Sequence, residues 1–105
     1  RGVVHAFTRG PELAMRFVGL GMHIAFGGAV TRPSAERARK SAAAVPADRL
    51  LLETDAPSIG LHGVLPEATE PRHVREVARA LAIIRCVDEA EIEEITSSNA
   101  RFLFD

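Results

Sequence analysis

An α/β fold with a parallel sheet is the class this sequence predicts, and three observations predict it. Short apolar runs alternate with stretches of helical periodicity, without an internal repeat or a low-complexity linker. Prolines stand where helices open, at the one helical position that tolerates them well. The third observation is Leu50-Leu51-Leu52-Glu53-Thr54-Asp55-Ala56-Pro57. It joins a leucine run to two carboxylates and closes on proline, as a strand buried on both faces of a parallel sheet does.

Taken in order, Gly2-Val3-Val4-His5-Ala6-Phe7 reads as a first strand. Pro11 opens a helix to about Leu20, with Leu13, Phe17 and Leu20 at helical spacing and Gly19 and Gly21 ending the pattern. Met22-His23-Ile24-Ala25-Phe26 is a second strand that runs into Gly27-Gly28. Ser34 caps a helix through Val45, whose small inner residues Ala35, Ala38 and Ala42 allow close packing. Pro46 stops it, and the leucine strand follows. A loop of 14 residues, Ala56 to Thr69, is long for a mere connection and favours a functional loop. Pro71 opens a helix with Val74, Val77, Ala78 and Leu81 on one face. Asp88 caps a last helix anchored by Ile92, Ile95, Phe102 and Leu103.

This order implies parallel strands joined by right-handed crossovers. Three strands make a small sheet for so much apolar sequence. A complete (β/α)8 TIM barrel takes about 250 residues, so a chain of 105 reads as a piece of one. A compact doubly wound domain is the structural alternative.

Composition bounds the function without choosing it. The chain is 47% hydrophobic and 26% charged, with a mean hydropathy of +0.06, which suits one soluble globular domain or part of one. A net charge of −1 gives no overall basic footprint for nucleic acid, though local contacts stay open. The single cysteine, Cys86, excludes an internal disulfide framework and suits a reducing compartment such as the cytoplasm. No apolar run approaches the ~20 residues of a membrane span.

Side chains alternate along a strand, so Leu51, Glu53 and Asp55 share one face and Leu50, Leu52 and Thr54 the other. Asp55 is thereby expected at the carboxyl end of a buried strand, where parallel α/β folds build their sites. A carboxylate there needs a metal, a cation or hydrogen-bond donors. Capping the following loop is the other reading, and the residues alone leave both open.

His5-Ala6-Phe7, Phe26-Gly27-Gly28, Leu51-Leu52-Glu53-Thr54-Asp55-Ala56-Pro57, Glu70-Pro71 and Asn99-Ala100-Arg101-Phe102-Leu103-Phe104 occur in an order that resembles the TatD-type metal-dependent hydrolases. The resemblance covers essentially the whole chain but only the last three strands of the family's barrel. It implies the carboxyl-terminal part of a (β/α)8 barrel, one or two divalent metals at its top, and commonly deoxyribonuclease activity. By the same resemblance His5 and Asp55 are metal ligands, with Asp55 also the catalytic position. Imidazole and carboxylate suit zinc, manganese or similar ions, although a lone His at a strand end is more often structural. Glu53 shares the face of Asp55 and is open to two roles, orienting ligands or making an ordinary buried hydrogen bond.

Other polar residues carry less. His62 lies near a substrate-facing family position, yet an exposed loop His is the default. His23 reads as structural and His73 as solvated. Arg32, Arg37, Arg39 and Lys40 either touch phosphates or only solvate a helix face. Asn99 caps or braces the last helical turn, and Cys86, at a helix end, reads as inert.

The family's His-x-His pair, bridging Glu and one further His belong to strands expected before Arg1. Thr8-Arg9-Gly10 departs from the family's small-residue turn, and the long loop lacks the arginine common before Glu-Pro. Two ligands fall short of the three that a catalytic metal needs. The expectation is a hydrolase portion, inactive alone, whose partners are DNA as substrate and the missing amino-terminal half of the barrel. A metal hydrolase of amides or esters is the first alternative, since fold does not fix substrate. A catalytically inactive interaction module is the second.

Overall fold

The computed structural model describes residues 2–53 and 73–104. Strands β1 (Gly2–Val4), β2 (Met22–Phe26) and β3 (Leu50–Leu52) form one parallel sheet in the order β1-β2-β3. Helices α1 (Pro11–Gly19) and α2 (Glu36–Ala44) connect them, and α3 (Val74–Arg85) and α4 (Glu89–Phe104) follow. Single 3-10 turns cover Gly28–Thr31 and Ala47–Arg49. Among the described residues no helix is long and apolar enough to cross a membrane.

Strand alternation sorts the sheet into two faces. Val4, Ile24, Phe26, Leu50 and Leu52 meet Ala14 of α1, Ala38 and Ala42 of α2, Val77, Ala78 and Leu81 of α3, and Ile92 of α4. Ile24, Phe26 and Leu50 are completely buried, and each such side chain contributes about 1.5–3 kcal/mol. The opposite face carries Val3, Ala25 and Leu51, against which Ala100 and Leu103 of α4 pack. His23 is buried on this same face, its ring 6.3 Å from that of Phe102. Helix α4 therefore runs from one core to the other.

Several expected details change. The first strand pairs only through Val4, because the backbone turns at Ala6 into the left-handed region, φ 53°. Phe7 then bonds the Ala25 carbonyl through its N–H at 3.2 Å and buries its ring edge-on against Phe26. Ser34 does not cap α2: Ala35 holds the N-cap position without a side-chain bond, and the Ser34 carbonyl accepts from Glu36 N–H at 2.9 Å. Asp88 does stand at the head of α4, its carbonyl accepting from Glu91 and Ile92. Phe102 is 61% exposed and does not anchor α4 as Ile92 and Leu103 do. His73 is half-buried rather than solvated. The 56–69 loop and the Pro71 helix start lie outside the described residues.

Two side chains tie elements together at positions that no hydrophobic period marks. Asn99 braces the approach to β3 rather than its own helix, donating to the carbonyls of Ala47 at 2.8 Å and Leu50 at 2.9 Å. Arg85 reaches from the end of α3 to the carbonyls of Ala42 and Val45, each at 2.7 Å, satisfying acceptors that the end of α2 leaves open. Desolvation by burial lowers the Arg85 pKa from its ordinary value.

Candidate metal centre

The carboxyl ends of β1 and β3 meet across the end of β2, and the residues there explain how. Register sets Val4 beside Ile24 and Phe26 beside Leu52, so His5 and Glu53 leave their strands on the other face, the one that carries Val3, Ala25 and Leu51. Glu53 N–H donates to the Phe26 carbonyl at 3.0 Å, carrying the β2–β3 ladder one step further. The side chain of Glu53 then crosses Gly27. A Cβ at residue 27 would lie 3.3 Å from the Glu53 carbonyl oxygen and 3.4 Å from its Cγ, so glycine here gives the carboxylate its passage.

The carboxylate has two partners on the β1 side. Its Oε1 accepts from the Ala6 N–H, and its Oε2 lies 3.9 Å from Nδ1 of His5. The first is a charge-assisted bond, stronger than a neutral one. It stabilises a residue that pays for its left-handed backbone, since an L-residue with a Cβ there costs roughly 1–2 kcal/mol. Further along, the Ser41 hydroxyl of α2 donates to the Arg9 carbonyl at 2.6 Å. His5 thus sits at the head of a loop fixed at Ala6, Phe7 and Arg9.

Exposure separates the two side chains. Glu53 is 19% exposed and His5 74% exposed, so the carboxylate is enclosed while the imidazole opens outward. Among the described residues no group of three or more His, Cys, Asp or Glu side chains clusters to hold an ion. Asp55, the other expected ligand, lies outside the described residues, as does His62. The donor chemistry fits a divalent ion: one exposed imidazole, with a carboxylate behind it of the kind that commonly orients a metal-bound histidine.

Arg39, one of the expected phosphate contacts, instead donates to the Val30 carbonyl at 2.6 Å, which commits it to the turn after β2. Arg37 and Lys40 are exposed on α2. Gly27 and the Ala6 amide are site components that sequence reasoning missed. The Gly27-Gly28 pair after an apolar strand was the one signal for Gly27, since glycine in such a place marks close backbone approach.

Comparison with known proteins places the chain. The TatD related DNase family model matches residues 1–105. The chain is 39% identical over 103 residues to the uncharacterized metal-dependent hydrolase YcfH of Escherichia coli strain K12, covering 98% of this chain and 39% of that protein. It is 35% identical over 103 residues to the uncharacterized metal-dependent hydrolase YabD of Bacillus subtilis strain 168, covering 98% and 40%. The crystal structure of YjjV, a TatD homolog from Escherichia coli K12, superposes with a TM-score of 0.87 at 38% identity, over 93% of this chain and 38% of that one. A TatD family hydrolase from Entamoeba histolytica shares the fold at TM-score 0.77 and 18% identity, over 94% and 40%. The chain thus spans about two fifths of the length of these relatives, and its three-stranded parallel sheet is part of their (β/α)8 barrel. With the family model matched from end to end, this chain belongs to the TatD family of metal-dependent hydrolases.

Proposed function

We propose that the full-length protein hydrolyses phosphodiester bonds in DNA, and that this chain supplies His5 and Asp55 as metal ligands. The observation that carries the reading is the convergence of His5 and Glu53, from strands separated by β2, to 3.9 Å at the carboxyl end of the sheet. Active sites of parallel barrels form at that end. Asp55 follows Glu53 by two residues, a covalent reach of about 7 Å at most. The description of the matching family as a TatD related DNase supports DNA as the substrate.

A divalent ion bound there supplies a water of lowered pKa and polarises a phosphoryl oxygen. The chain's own share is to position. His5 offers a ring nitrogen on a loop held at three points, and Asp55, three residues beyond β3 in sequence, offers a carboxylate. A catalytic ion takes about three protein ligands and keeps one place open. The others come, in this reading, from the part of the protein beyond these 105 residues.

The test is a substrate panel on the metal-loaded full-length protein. Single-stranded DNA and a bis-aryl phosphodiester are expected to be cleaved, with amide and ester substrates left intact. Turnover of amides or esters with no cleavage of either phosphodiester would overturn the substrate assignment while leaving the family intact.

A further inference from the structure

We infer that Glu53 is the positioning residue of His5, fixing both its backbone and the tautomer of its ring; this rests on the reading of His5 as a metal ligand. The two oxygens of one carboxylate divide the work. Oε1 accepts the Ala6 N–H, the amide that follows His5 in the chain, and so fixes where the His5 Cα stands. Oε2 faces Nδ1 of the His5 ring at 3.9 Å. At 3.9 Å the contact is electrostatic rather than a hydrogen bond, and the negative charge of Oε2 favours the proton on the nearer ring nitrogen, Nδ1, which leaves the Nε2 lone pair for an ion.

Three features separate this arrangement from a carboxylate that merely satisfies a backbone amide. Ala6 is held in the left-handed region at φ 53°, where a non-glycine residue persists only when its surroundings impose it. Gly27 clears the path of the Glu53 stem, since a Cβ there would meet Cγ at 3.4 Å. The burial is also asymmetric, the carboxylate 19% exposed and the imidazole 74%. An enclosed carboxylate behind an open imidazole orients the ring without competing for the same face.

The experiment uses the full-length protein with 15N-labelled histidine, metal-free and mildly alkaline, in long-range 1H–15N correlation spectra. His5→Ala identifies the His5 signals. The wild type is expected to show the Nδ1–H tautomer at His5. In Glu53→Gln the amide oxygen still takes the Ala6 N–H, but an NH2 group then faces Nδ1, so the tautomer is expected to reverse. Manganese affinity, read by calorimetry, is expected to fall about 10–100-fold in Glu53→Gln, and less in Glu53→Asp, which keeps the charge on a shorter stem. Should Glu53→Gln fail to fold, Glu53→Asp carries the same two readouts. An unchanged His5 tautomer together with unchanged manganese affinity, while His5→Ala loses binding, would overturn the inference alone. Unchanged manganese affinity in His5→Ala would instead overturn the ligand reading on which it rests.

Discussion

The Ala6 amide donates to the carboxylate of Glu53 across 47 residues of sequence, joining the ends of two strands that never pair with each other. The bond crosses the end of β2, where a side chain at residue 27 would press on the Glu53 carbonyl oxygen and Cγ. A backbone amide and a carboxylate thereby close the sheet's carboxyl end on one side, with the His5 ring next to the closure.

Gly27→Ala tests that crossing. The backbone at residue 27, φ −120° and ψ −152°, suits alanine, so the effect is steric alone. The added methyl presses on the Glu53 carbonyl and Cγ, and overpacking of this kind costs about 1–3 kcal/mol. Denaturant unfolding of the full-length protein is expected to show a lower midpoint at unchanged slope, together with weaker manganese binding. Wild-type values for both would mean that Glu53 has slack at this point.

Cys86 ends α3 in the left-handed conformation, φ 57°, where glycine is the usual residue. The bonds from Val87 N–H to the Ala82 carbonyl and from Cys86 N–H to that of Ile83 make a Schellman end. Cys86→Gly is expected to stabilise the protein by about 0.5–1 kcal/mol, since the Cβ penalty disappears while both bonds remain. A raised unfolding midpoint checks this. A lowered midpoint would show that the exposed thiol contributes more than its backbone costs.

Asn99→Ala removes both donors to Ala47 and Leu50 and leaves those carbonyls without them. The expected loss is about 1–3 kcal/mol in unfolding free energy. Asn99→Asp is expected to cost more, since a carboxylate would then face two carbonyl oxygens. Equal stability of the two variants would show that the Asn99 bonds serve packing only.

How much of this was legible in the sequence follows from what each residue does locally. The leucine run and the alternation around Ile24 and Phe26 announce buried strands, and Val77, Ala78 and Leu81 announce the inner face of a helix, because burial imposes a period. His5 and Glu53 could be placed at strand ends by the same logic, and Asp55 lies outside the described residues. Asn99 could not, since a side chain that bonds backbone 49 and 52 residues away leaves no local pattern. The break of β1 at Ala6 was equally hidden. Alanine carries no signal for a left-handed backbone, and the carboxylate holding it there comes from another strand. Ser34 failed as a cap for a plainer reason: the turn ends one residue later, at Ala35.

The most direct test of the central claim is the rate of single-stranded DNA cleavage by the full-length protein after metal stripping and manganese addition, for the wild type, His5→Ala and Asp55→Asn. The wild type is expected to lose activity on chelation and regain it with the metal. Each substitution is expected to lower kcat/KM by about a thousandfold, the several kcal/mol that a clamped ion contributes to the transition state. Undiminished cleavage by metal-free Asp55→Asn would contradict the account.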